Sequence, residues 1–153
     1  MEQVSGRSGR KGAQGKVLIQ VRNTAHPVLQ YVQHHDYKAF ATVELFNRQQ
    51  FGYPPYTRLI QLRFRHKLPE IVAAAARQLA DWLRPAFGEY IVGPAAPVVN
   101  RVRNQYIMEL MIKLPKDMHL LQQCKDQILL LTAHLHQQPP FKSVVVTPDI
   151  DPL

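Results

Sequence analysis

Phe51-Gly52-Tyr53-Pro54-Pro55-Tyr56, followed by Thr57-Arg58-Leu59-Ile60-Gln61-Leu62-Arg63-Phe64-Arg65, divides this chain of 153 residues. Each proline fixes its own φ, and Pro55 pushes Pro54 towards an extended conformation. The helical pattern that ends near Gln50 therefore cannot run through the pair. A new element starts beyond it. Ile60, Leu62 and Phe64 fall on one side of an extended segment while Gln61, Arg63 and Arg65 fall on the other. That is the period-two pattern of a half-buried strand with a cationic outer face.

Beyond this strand, Pro69 and Glu70 open a helix in which Ile71, Ala75, Leu79 and Trp82 share a face, and Arg84-Pro85 is expected to stop it. Trp82 reads as core. Tyr90 to Val102 is extended and interrupted by Pro94 and Pro97, which suits an edge strand with bulges. Tyr106, Met108, Leu110, Ile112 and Leu114 then alternate against Gln105, Glu109 and Lys113, so Asn100 to Asn104 forms a turn with Arg101 and Arg103 near its tip. Asp117 is placed to cap a last helix whose Leu121, Cys124, Ile128, Leu131 and Leu135 step by three and four. Pro139-Pro140 ends that helix, and Val144 to Thr147 gives a final strand. The order strand, helix, strand, strand, helix, strand predicts an α+β fold: a small, mostly antiparallel sheet of about four strands in the split βαβ, ferredoxin-like arrangement, with both helices on one face.

Upstream, Pro27 suits a first helical turn after Thr24, and Asp36 suits the cap of a second helix carrying Tyr37, Phe40, Ala41 and Leu45. Residues 23–51 thus read as a helical connector whose aromatic residues, Tyr31, Tyr37, Phe40 and Phe46, dock it onto a neighbouring domain. Residues 52–153 form the compact α+β domain.

The chain holds 19 Lys and Arg against 11 Asp and Glu, a formal net charge of +8, which favours an anionic partner, nucleic acid first among them. With a single cysteine, Cys124, there is neither an intramolecular disulfide nor a thiolate zinc site. Cys124 falls on a core position with no partner base, and His34-His35 and His134-x-His136 lack the companion ligands of a metal centre. No apolar run approaches the roughly 18 residues that span a bilayer, and the start lacks the apolar segment of a secretion signal. A cytoplasmic location without membrane association is the expectation.

The opening, Gln3-Val4-Ser5-Gly6-Arg7-Ser8-Gly9-Arg10, reads as continuing from something larger. Two arginines three residues apart share one side of a helical turn, and their planar forks suit phosphate oxygens. Gln-x-x-Gly-Arg-x-Gly-Arg resembles the sixth motif of superfamily-2 helicases. The later order Gly52-Tyr53-Pro54-Pro55-Tyr56, Val92-Gly93-Pro94-Ala95 and Asp149-Ile150-Asp151-Pro152 resembles the tail of the primosomal replication-restart DNA helicases.

That resemblance implies several things at once. Residues 1–22 would end a second RecA-like domain, with Lys16 to Val21 as its last strand. Arg7 and Arg10 would sense the γ-phosphate of ATP, supported by Gln3. ATP and Mg would be bound by the parent protein and not by this piece, which has no Gly-Lys-Thr/Ser phosphate loop. The family's zinc ligands would also lie outside the piece. The parent would bind branched or forked DNA, unwind it 3′ to 5′ with ATP, and begin primosome assembly with other primosome proteins. Its C-terminal domain, which is similar to a ribosomal small-subunit protein, would assist DNA binding and contact the tail of single-stranded DNA-binding protein.

On charge distribution, the DNA-binding candidates are Arg58, Arg63, Arg65 and Lys67, a stretch free of acidic residues, together with Arg101 and Arg103 on the hairpin. These groups are expected to converge, since the first and third strands of such a sheet are neighbours. Two readings of other classes stand beside the first: a stand-alone RNA-binding module of ribosomal-protein type, and a protein-interaction domain with an incidental basic surface.

Overall fold

A computed structural model describes residues 18–152. Gln3, Arg7 and Arg10 lie outside the described residues. The chain divides at Asn47/Arg48 into two compact units. In the first, Leu18–Val21 has no strand structure, which differs from the expectation for Lys16 to Val21. Helix α1 (Pro27–Gln33) starts on its proline as expected, and His26 caps it, Nδ1 accepting from Val28 N at 3.3 Å. Helix α2 (Tyr37–Gln50) opens where Asp36 Oδ1 accepts from Ala39 N at 3.0 Å. The Tyr31 and Phe40 rings lie 6.0 Å apart, yet neither helix has a buried residue, and Tyr37 and Phe46 are 66% and 58% exposed.

The second unit is built on β1 (Arg58–His66), followed by α3 (Pro69–Phe87), β2 (Ile91–Ala95), β3 (Arg101–Val102), β4 (Gln105–Leu114), α4 (Met118–Gln137) and β5 (Val145–Ile150). The sheet runs β2-β4-β1-β5, with the short β3 also paired to β4, and every pairing is antiparallel. Because β1 and β2 are each antiparallel to β4, they are parallel to one another across it. The connection through α3 is thus one βαβ crossover, and α4 makes the second between β4 and β5. This is the predicted split βαβ fold.

Ile60, Leu62 and Phe64 of β1 and Leu110, Ile112 and Leu114 of β4 are all buried, and they form one core with Val72, Leu79, Leu83 and Phe87 of α3 and Leu121, Cys124, Ile128 and Leu135 of α4. Both helices therefore cover the even-numbered face of β1. Trp82 is only partly buried at the margin of this core, its ring 5.0 Å from His134. Asp117 caps α4 as expected, accepting from His119 N and Leu120 N at 2.8 and 3.2 Å.

Three expectations are corrected. Helix α3 does not stop at Arg84-Pro85 but continues to Phe87. Pro85 removes one bond to the Asp81 carbonyl, and burial of Phe87 in the next half-turn, a gain of about 1.5–3 kcal/mol, offsets it. The extended stretch Tyr90 to Val102 is two strands rather than one, because residues 96–100 between β2 and β3 carry no strand, and within β2 the register on β4 shifts between Val92 and Ala95. Gly93 sits at that shift with φ +100°, and a Cβ there would come within 3.1 Å of Ala95 N and 3.2 Å of the Glu109 carbonyl. The hairpin turn is also tighter than Asn100 to Asn104. Val102 pairs with Gln105, leaving only Arg103 and Asn104 in the loop, at φ 48° and 62°. Two left-handed residues in succession make the turn whose twist matches the flanking strands.

The strand β5 lies at one edge and β2 at the other. Asp151 N donates to the Leu59 carbonyl at 2.9 Å, so odd-numbered residues of β5 turn their amides towards β1. Pro148 consequently falls at an outward position, where its missing N–H costs no ladder bond. Asp151 also accepts from Leu59 N at 2.9 Å and pairs with Arg58 Nη1 at 2.6 Å.

Two outcomes test this description. Leu79→Ala should lower the unfolding free energy by about 2–5 kcal/mol in a denaturant titration, since a fully buried leucine leaves a cavity. For Asp151, burial alone raises the carboxyl pKa, but the Leu59 amide and the Arg58 guanidinium outweigh it and hold the group below its ordinary 3.8. A depressed carboxyl contributes stability that is full above the ordinary pKa and lost as pH falls through the folded value. Asp151→Ala should therefore cost about 1 kcal/mol near neutrality, with the gap from wild type closing below pH 3.8, measured by thermal unfolding across pH.

Candidate nucleic-acid interface

Antiparallel register decides which basic side chains meet. Across β1 and β4, His66 stands opposite Tyr106, and across β4 and β3, Tyr106 stands opposite Arg101. Arg101 is therefore two strand spacings, about 10 Å, from the end of β1. Arg65 and Lys67 flank His66, and Arg103 occupies the hairpin turn beside Arg101. Arg65, Lys67, Arg101 and Arg103 thus gather at one end of the sheet. Arg58 begins β1 and lies eight residues from His66, roughly 26 Å along the strand. It does not join them.

Charge pairing separates the candidates further. Arg63 Nε donates to Glu109 Oε1 at 2.9 Å across the β1–β4 ladder, and Arg58 is held by Asp151. Each guanidinium faces a carboxylate, which weakens its pull on an outside anion. Arg65 differs: Nη2 reaches Thr147 Oγ1 only at 3.5 Å, and its buried Nε has no hydrogen-bond partner. Arg101 lies over the Tyr106 ring, 5.0 Å from its centroid, and Nη2 donates to Asn104 Oδ1. Among the described residues, neither Arg65, Lys67, Arg101 nor Arg103 has an ion-pair partner. The two faces also divide the set. Arg63 and Arg65 lie on the face of β1 that carries no helix, while Arg101 shares a row with His66 and Tyr106 on the opposite parity.

The carboxylates Glu109 and Asp151 were not assigned to these arginines from sequence. Glu109 stands outside the apolar set of β4, directly across from Arg63 once the ladder register is known. Asp151 lay within the Asp149-to-Pro152 motif, whose structural task is to tie the end of β5 to the start of β1.

Among the described residues, the cysteine and two of the histidines make structural contacts. Burial pushes the Cys124 thiol up to about 11, so it is a core thiol rather than a nucleophile. His136 Nε2 lies 2.9 Å from the Val144 carbonyl and His66 Nε2 lies 3.0 Å from Ser143 Oγ, both structural contacts beside β5. Among the described residues no three His, Cys, Asp or Glu side chains gather as a metal site, and no helix is long and apolar enough to cross a membrane.

Residues 49–153 match the family model described as primosomal protein N C-terminal domain. The chain is 40% identical to "Replication restart protein PriA" of Treponema pallidum (strain Nichols) over 118 residues, which are 75% of this chain and 18% of that protein. It is 35% identical to the protein of the same name from Synechocystis sp. over 156 aligned residues, 100% of this chain and 18% of the relative. The Bacillus subtilis (strain 168) counterpart is 29% identical, with 99% of this chain and 19% of the relative covered. The chain thus spans less than a fifth of the length of these relatives. The resemblance carried by Gly52 to Tyr56, Val92 to Ala95 and Asp149 to Pro152 is borne out, and the split βαβ domain that holds these motifs accounts for nearly all of the matched span: the chain belongs to the primosomal protein N C-terminal domain family.

Proposed function

We propose that this chain serves replication restart as a DNA-binding and partner-docking module, working at the C-terminal side of an ATP-dependent 3′ to 5′ DNA helicase that recognises branched DNA and begins primosome assembly. The relatives' name supports the restart role. The observation that carries DNA binding is the sheet end at which Arg65, Lys67, Arg101 and Arg103 lie without carboxylate partners among the described residues, while Arg58 and Arg63 are each paired. Unpaired guanidinium groups at a solvent-facing end are suited to phosphate, which accepts two hydrogen bonds from each planar fork.

In the parent protein, Arg7 and Arg10 act on the γ-phosphate of ATP, with Gln3 supporting them, and nucleotide and Mg are bound by other domains. The exposed aromatic residues of α1 and α2, among them Tyr37 and Phe46, dock the connector onto a neighbouring helicase domain. The tail of single-stranded DNA-binding protein and other primosome proteins are the protein partners of this reading, and the cytoplasm is its location.

Salt dependence tests the DNA surface. Affinity for forked DNA should fall linearly on a log-log salt plot, and Arg101→Ala with Arg103→Ala should lower that slope by about 2, since each phosphate contact releases roughly 0.9 counterion. An unchanged slope and affinity in the double variant would move the DNA site elsewhere. In the intact parent, Arg7→Ala or Arg10→Ala should reduce DNA-stimulated ATP turnover by about a hundredfold or more while leaving fork affinity within about twofold, because the guanidinium acts on transition-state charge. Equal loss of fork binding would remove the phosphate-sensing assignment.

A further inference from the structure

Arg101 is held in a way that the other candidate arginines are not. Its guanidinium carbon stands 5.0 Å from the centroid of the Tyr106 ring, and Nη2 donates to Asn104 Oδ1. One contact places the cation over the ring and the other engages a terminal nitrogen, so the guanidinium is already held beside Tyr106 before any ligand arrives. The residue is exposed, which leaves the surface away from Tyr106 open to solvent. The support beneath it is tied into the sheet. Tyr106 is partly buried against the core, β3 pairs with β4, and the two-residue turn between them has both residues at positive φ. The neighbouring arm exposes Val98, Val99 and Val102, apolar surface beside a cation.

We propose that the Arg101–Tyr106 stack is a seat for an unpaired nucleobase, so that the hairpin reads base-bearing single strand and not phosphate charge alone. This rests on the nucleic-acid reading above and sharpens it. A base in a duplex has both faces covered by its neighbours, whereas an unpaired base has a free face that stacks on aromatic rings and on guanidinium planes. A guanidinium already held over tyrosine offers the base a further planar surface beside the ring. Because two contacts already hold it in the free protein, less rotamer freedom is lost when the base arrives. Arg103, two residues further along and in the turn itself, supplies a cation for the phosphate of the same nucleotide or the next. At a branch point, where strands part, such a seat favours the unpaired arm.

The test compares three ligands at fixed salt with the intact chain: a mixed-sequence single strand, an abasic strand of equal length that keeps the phosphates and lacks the bases, and a duplex. Arg101→Lys keeps the charge and removes the plane. Wild type should prefer the base-bearing strand over the abasic one, and Arg101→Lys should weaken the base-bearing strand by about fivefold or more, the lower end of one stacked base. Affinity for the abasic strand and for duplex should fall clearly less than for the base-bearing strand, since Lys keeps the charge and loses only the planar fork, while the salt slope and the thermal unfolding midpoint should stay as in wild type. A 2-aminopurine in the single strand should be quenched by wild type and not by Arg101→Lys. Equal affinities of variant and wild type for the base-bearing strand overturn the seat and leave phosphate binding standing, as does an equal loss on the abasic strand. Failure of wild type to bind any of the three ligands overturns the DNA-binding reading and the seat together.

Discussion

The sheet depends on β1 keeping one register against two neighbours at once. It is paired along its length with β4 on one side and β5 on the other, and its side chains alternate between leucine-like and cationic. A slip by one residue would turn Arg63 and Arg65 towards α3 and α4 and bring Ile60, Leu62 and Phe64 into water. Burying an unpaired guanidinium costs far more than the hydrophobic contacts it would displace. The two ion pairs mark the register on the two sides of β1: Arg58 with Asp151 on the β5 side where β1 begins, and Arg63 with Glu109 on the β4 side near its middle. Their individual contributions are small, as expected at partly exposed sites, yet each exists in only one alignment of the strands.

Local signals in the sequence were legible where a short window holds the whole cause. The alternation of Thr57 to Arg65, the cap at Asp117 and the three-and-four spacing of Leu121, Cys124, Ile128 and Leu135 each need only a few consecutive residues, and the structure agrees with all of them. Pro85 was misleading because its local preference to end a helix is overridden by a distant fact, the core cavity that Phe87 fills. The candidate site was half legible for the same reason. Grouping basic residues along Arg58 to Lys67 overlooked partners 46 and 93 residues away, and only the register of the folded sheet brings Glu109 to Arg63 and Asp151 to Arg58. The hairpin arginines were placed correctly because a turn between two alternating stretches is a local feature.

The outcome is a domain with two chemically unlike ends. Where β1 starts, arginine and aspartate close on one another, and Lys113 lies 4.1 Å from the centroid of the Tyr53 ring and donates to the Phe51 carbonyl at 2.9 Å, so the loop before β1 is tied to β4. Cations here serve the fold. Where β1 ends, the cations have no carboxylate partners among the described residues and stand beside an exposed hairpin. This domain thus has the same residue types in two roles, separated by the length of one strand.

Both edges of the sheet carry a proline, Pro94 in β2 and Pro148 in β5, and β2 is further bent by the shift at Gly93. Neither edge offers the unbroken row of amides that another extended chain needs in order to add itself as a further strand. Whatever meets this domain must then be recognised by side chains rather than by backbone. Side-chain recognition is written in single residues, so a lineage can alter which partner or DNA form the domain prefers one substitution at a time while the ladder beneath stays as it is.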